Sequence, residues 1–159
     1  MPITIKVGDS ELQQIFDAML AQRPENSFEE FLGIRIESPD LDSGYVTFDM
    51  REALTGNPTY MTLQGGIIST VLDIVGGHMV FLSVFKQVKG KPLAKKMERL
   101  SKVGTIDMRI DYLRPGIGKH FTATGWILRT GGKVAVTRME LRNEEDVVIA
   151  VGTGTYTVG

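Results

Sequence analysis

Apolar residues recur at helical spacing at Leu12, Ile15, Phe16, Met19 and Leu20, directly after Asp9-Ser10-Glu11, so an amphipathic helix is predicted to begin there and stop near Pro24. A second short helix is expected over Phe28 to Leu32. The period then changes to two. Ile34 and Ile36, followed by Tyr45, Thr47 and Asp49 alternating with Val46, Phe48 and Met50, predict two antiparallel strands joined by the turn-rich SPDLDSG. Arg51 to Leu63 is irregular and carries Gly56-Asn57-Pro58, and the apolar segment from Gly65 to about Val84 is too long for a strand and predicts a helix. Beyond a lysine-rich linker come four strand-like runs, Thr105 to Leu113, His120 to Arg129, Lys133 to Arg142 and Val147 to Val158, separated by turns. In the first of them Ile106, Met108, Ile110 and Tyr112 share one face and Asp107, Arg109 and Asp111 the other, giving a dry side and a wet side.

This order of elements predicts an α+β architecture: an antiparallel sheet of about six strands wrapped around a long central helix, with an N-terminal helix. A chain of 159 residues with 42% hydrophobic content fits one domain spanning 1–159. A net charge of -1 with 23% charged residues argues against nucleic-acid binding and against an acidic tail. The absence of cysteine excludes disulfides, thiolate metal sites and a cysteine nucleophile. The two histidines, His78 and His120, fall in different elements without flanking carboxylate clusters, so no metal is expected. The opening MPITIKVGDSELQQ lacks the layout of an export signal, which makes a cytoplasmic protein the expectation. The weakly charged stretch Tyr60 to Phe85 contains Asp73, His78 and four glycines, and reads as a buried core helix, not a membrane span.

Within LQGGIISTVLDIVGGHMVF, Asp73 is the one acidic residue. An aspartate two turns into an apolar helix is costly unless it is hydrogen-bonded, paired or working, so it marks a functional carboxylate, an exposed stripe or a helix-to-helix bond. Eight residues earlier, Gly65-Gly66 opens the same helix with unpaired amides and no side chain to bar a ligand, a terminus able to hold an oxyanion as well as an ordinary glycine turn. His78 lies about 140° around the helix from Asp73, which favours packing over partnership. The segment Lys86 to Gly104 holds seven bases and one acid, Glu98, against eleven bases and eighteen acids elsewhere. Such a segment attracts anions or simply faces solvent. Ile67, Ile68, Val71, Met79, Phe81 and Trp126 are equally suited to an apolar tunnel and to ordinary core.

LQGGIISTVLD resembles the HGG-x6-D stretch of PaaI-type hotdog thioesterases, and GTIDMRIDYLRPG resembles the strand and turn that follow it there. The carboxy-terminal part, RLSKVGTIDMRIDYLRPG through GGKVAVTRMELRNEE to TYTVG, is especially similar to the bacterial YigI group of medium- and long-chain acyl-CoA thioesterases. The resemblance covers nearly all of the chain after Leu32. It implies a hotdog fold, assembly as a dimer or dimer of dimers with shared active sites, an acyl-CoA substrate and no cofactor.

The resemblance also implies roles for particular residues. Asp73 matches the family's carboxylate, which acts as a general base on water or as a nucleophile, and Gly65 matches the helix-terminal amide that polarises the thioester carbonyl. Thr105 matches a serine or threonine that orients water, expected from the opposite subunit. Asn57 matches a carbonyl-supporting asparagine, with a spacing one residue longer. Gln64 departs from the usual histidine; it can donate a hydrogen bond but cannot serve as a titrating acid. Arg114 and Arg99, with Gly66, are the candidates for contacts to the coenzyme A part of the substrate, the arginines toward its phosphates. Two alternatives remain: a non-catalytic acyl-CoA binder or regulator on the same fold, and an acyl-thioester hydratase or dehydratase, disfavoured because no histidine-centred motif such as D-x-N-x-x-H is present.

Overall fold

The computed structural model describes residues 2–159. The chain opens with β1 (Thr4–Val7), a strand too short for the hydropathy pattern to distinguish, and continues through α1 (Ser10–Ala21), α2 (Phe28–Leu32), β2 (Arg35–Ser38) and β3 (Tyr45–Asp49). α1 starts where the Asp9 carboxylate accepts the Glu11 and Leu12 amides, and it buries Leu12, Ile15 and Phe16. α2 is closed by Gly33 at φ 67°, left-handed backbone that favours glycine. A 3-10 turn (Glu52–Leu54) leads into a small ribbon, β4 (Thr55–Asn57) and β5 (Thr62–Leu63). Then come α3 (Gly65–Val88), α4 (Leu93–Leu100), β6 (Gly104–Tyr112), β7 (His120–Thr130), β8 (Val134–Asn143) and β9 (Val148–Thr157).

Seven strands form one sheet in the order β1-β2-β3-β7-β8-β9-β6, against the six or so expected. β1 and β2 pair in parallel; every other neighbouring pair is antiparallel. The sheet wraps α3. Alternate residues of the strands, among them Phe121, Ala123, Ala135, Met139 and Tyr156, meet Val71, Leu72, Val75 and Leu82 of the helix in one core. By length and composition α3 would suit a membrane span, yet 67% of its most apolar window is buried inside the fold.

The lysine-rich stretch is no linker, because Leu93–Leu100 forms α4. Its positive charge is largely matched by acids. Lys96 is buried and pairs with Glu11 of α1, Lys86 pairs with Asp42, Lys89 reaches Asp9 at 2.7 Å, and Lys95 and Lys102 flank Glu98.

β6 forms one edge of the sheet and contains a bulge. Thr105 pairs with Tyr156 and Asp107 with Thr155, so Ile106 is an extra residue with no opposite number. Ile106 is therefore 53% exposed instead of sharing the dry face with Met108 and Ile110, which pack on the core. The phase slip turns Thr105 inward, toward α3.

Candidate active site

The bulge delivers Thr105 to Asp73. Thr105 Oγ1 donates to Asp73 Oδ1 at 2.8 Å, within one chain, whereas the hydroxyl was expected from an opposite subunit. The same oxygen accepts from Tyr156 Oη at 3.2 Å, and that hydroxyl also lies 3.3 Å from the Asp73 carbonyl. Burial, reinforced by the neighbouring Asp73 charge, pushes the Tyr156 hydroxyl above the ordinary tyrosine range, so it stays protonated and donating. Two donors fix one carboxylate oxygen; Oδ2 has no partner among the described residues.

Tyr156 is the residue that motif and periodicity miss. Its contact with the helix is possible because a Cβ on Gly76 would lie 2.3 Å from Tyr156 Oη. The sequence signal was the mid-helix pair Gly76-Gly77, since each such glycine costs about 1 kcal/mol relative to alanine and calls for a packing or functional reason.

Two turns before Asp73, Gly65 and Gly66 are the exposed first residues of α3, whose amides have no acceptor within the helix. Gln64 is the N-cap: its Oε1 accepts the Ile67 amide at 3.0 Å, which leaves the Nε2 group as a donor. Gly66 has a packing reason to be glycine, because a Cβ there would sit 2.7 Å from Gln64 Oε1. Gly56 packs on Gln64 in the same way, with a Cβ 2.8 Å from its Cα, and the neighbouring Asn57 pairs with Thr62 across the small ribbon. Asn57 Oδ1 accepts the Thr59 amide at 3.0 Å. Tyr112, at the end of β6, donates to the Gly65 carbonyl at 3.1 Å.

A hollow of about 340 Å³ beside this helix start brings Gly65, Tyr112 and Arg114 together. Arg114 Nη1 donates to the Val148 carbonyl at 3.0 Å. Arg99 is not brought there. Its guanidinium donates to Gln87, about 33 Å along the helix from Gly65. Gly65 and Asp73 are themselves about 12 Å apart along the axis, too far to act on one carbonyl within one chain.

Neither histidine joins Asp73. His78 is buried, its Nε2 lies 2.6 Å from Ser38 Oγ, and burial lowers it to about 4, so it is neutral near pH 7. His120 Nδ1 lies 2.8 Å from Asp49. A second cleft, of about 460 Å³, opens at Asp73 and Thr105 and is lined by Phe16, Met19, Gly77 and Phe81. Of the six tunnel candidates only Phe81 borders it. Ile67, Ile68, Val71 and Met79 belong to the core cluster, and Trp126 is 42% exposed at a separate hollow with Leu41 and Lys86.

Residues 60–150 match the family model of the thioesterase superfamily. With a long helix wrapped by an antiparallel sheet, the chain belongs to that superfamily, has the hotdog fold, and is a thioester hydrolase. Its relatives include the medium/long-chain acyl-CoA thioesterase YigI of Escherichia coli, 41% identical over 132 residues that span 83% of this chain and 85% of the relative. A thioesterase-superfamily structure from Shewanella oneidensis is 39% identical with a TM-score of 0.83, covering 95% of this chain and 99% of the other. A Bacillus halodurans protein solved with CoA is 25% identical with a TM-score of 0.57, over 71% of this chain and 65% of that one. The family match includes Gly65, Asp73 and Thr105 but stops short of Tyr156.

Proposed function

We propose that this protein hydrolyses medium- or long-chain fatty acyl-CoA to free fatty acid and CoA. Asp73 acts as general base or nucleophile, and the Gly65 amide receives the developing oxyanion. The observation that carries this is the Asp73 carboxylate, held by Thr105 and Tyr156 through one oxygen at the mouth of an apolar cleft. Support for the substrate comes from the similarity to YigI and from the relative solved with CoA.

In the general-base route, Asp73 Oδ2 takes a proton from water as the water oxygen bonds to the thioester carbon, and the carbonyl oxygen becomes an oxyanion facing the Gly65 N–H. Collapse of the tetrahedral species breaks the C–S bond and expels the CoA thiolate, which recovers the proton from Asp73. In the nucleophilic route Oδ2 bonds to the carbon, the C–S bond breaks and the CoA thiolate leaves to take a proton from water, and a second water then hydrolyses the mixed anhydride to the fatty acid and the Asp73 carboxylate. In this reading Gln64 Nε2 and Asn57 support the carbonyl, and Arg114 meets the phosphates of CoA.

Because Gly65 and Asp73 of one chain are about 12 Å apart, the reaction pairs Asp73 of one protomer with Gly65 of a second, in a dimer or dimer of dimers. Thiol release from acyl-CoA tests the assignment. Asp73→Asn should lower turnover by at least about a hundredfold; an unchanged rate, or acyl-CoA binding without turnover in the wild type, refutes it.

A further inference from the structure

We propose that the acyl tail of the substrate lies in the cleft opening at Asp73, with α1 as its outer wall, and that Gly77 is a glycine to keep that cleft open. This rests on the thioesterase reading above. The sheet does not close around α3: β1 and β6 are its two edges, and the cleft takes Ile5 from one and Thr105 from the other. Between these edges α3 presents Asp73, Gly77 and Phe81, a stripe of i, i+4, i+8 spacing. α1 lies over the stripe, with the Phe16 ring 5.0 Å from Phe81 and 5.5 Å from His78. The carboxylate is therefore at one end of a trough whose walls are mainly aromatic and aliphatic.

The two glycines in mid-helix have different explanations. The space above Gly76 is filled by Tyr156, whereas a Cβ on Gly77 would touch only Tyr156 Cε1, at an ordinary 3.6 Å. Packing within the chain does not require glycine at 77. What its missing side chain leaves free is the cleft, one helical turn beyond Asp73. The stripe from Asp73 to Phe81 is about 12 Å long. At roughly 1.2 Å per bond of an extended chain, that length holds about ten carbons. The Arg23–Glu29 pair, 3.0 Å apart, borders the same cleft and ties the residues after α1 to α2, steadying the wall.

The test is thiol release from straight-chain acyl-CoA substrates from butyryl to palmitoyl, with wild type, Gly77→Leu and Met19→Trp. Each methylene buried in an apolar trough strengthens binding about fourfold, so wild-type kcat/KM should climb with length until the trough is filled. Leucine at 77 blocks the trough about 6 Å from Asp73 and is a better helix former than glycine. It should lower the ratio of decanoyl-CoA to butyryl-CoA turnover at least about thirtyfold, the worth of two or three buried methylenes. Met19→Trp, which thickens the wall and leaves α3 intact, should also penalise long chains selectively. A profile of wild-type shape in either variant overturns the assignment. Failure of the wild type to release thiol from any substrate would instead overturn the thioesterase reading itself.

Discussion

Replacing Gly76 by alanine should destabilise this protein, although helix propensity alone says the opposite. Alanine is favoured over glycine in a helix interior by about 1 kcal/mol. Here the new Cβ would lie 2.3 Å from Tyr156 Oη, 3.0 Å from Tyr156 Cζ and 3.1 Å from Met139 Sδ, in a fully packed region. Overpacking of this kind costs about 1–3 kcal/mol, and displacing the phenol also removes a donor from a carboxylate, worth about 1.5–3 kcal/mol. Net of propensity, Gly76→Ala should lose about 2 kcal/mol in urea unfolding followed by circular dichroism. Tyr156→Phe should lose about 1.5 kcal/mol, because Asp73 keeps Thr105. The double variant removes the hydroxyl that collides, so its loss should fall short of the sum by at least about 1 kcal/mol. Both single variants loosen the Asp73 carboxylate and, if it is the proposed base or nucleophile, should reduce kcat between about tenfold and a hundredfold. A Gly76→Ala protein more stable than wild type by the helix-propensity increment would show that Tyr156 does not occupy this position in solution, and the second donor to Asp73 would be lost from the mechanism.

Gly65→Pro deletes the proposed oxyanion donor at the one helical position where proline is favourable, after a Gln64 already extended at φ -67° and ψ 134°. It should lower kcat about 10²- to 10³-fold, and co-refolding it with Asp73→Asn should restore about a quarter of wild-type activity, since half of randomly formed dimers then carry one intact site; no recovery would argue against a site shared between protomers. His78, lowered by burial to about 4 from an ordinary 6.5, makes stability pH-dependent. Its proton is bound more readily by the unfolded chain, so its contribution is full above pH 6.5 and is lost as pH falls toward 4, about 3 kcal/mol in all. His78→Gln should flatten the dependence of the urea midpoint on pH over that window, and equal slopes in the two proteins would exclude His78 as the titrating group.

Long, strongly periodic segments were legible from sequence: α3 and the runs that became β7, β8 and β9 agree with the predicted elements to within a few residues. Short or charge-masked elements were not. β1 spans four residues, too few for an alternation to register, and its partner β2 is separated from it by two helices. α4 was hidden by its two lysines, of which Lys96 makes an ion pair to Glu11 of α1 that only the tertiary fold reveals. Within the site, Asp73 and Gly65 stand out because a lone acid and a glycine pair are anomalies in an apolar helix. Thr105 and Tyr156 become visible as its partners only through a register shift and a glycine gap, neither of which periodicity encodes. Arg99 was singled out by local charge density, which says nothing about which end of a helix a side chain reaches; its guanidinium meets Gln87, far along α3 from Gly65 of the same chain.

The extra residue at Ile106 has an evolutionary consequence. It uncouples the two halves of β6, so that the hydroxyl serving the carboxylate and the outward stripe of the strand no longer share one phase. Substitutions along the outward stripe of β6 can accumulate without displacing the hydroxyl, whereas loss of the single inserted residue would turn Thr105 away from Asp73 while leaving the rest of the strand in register.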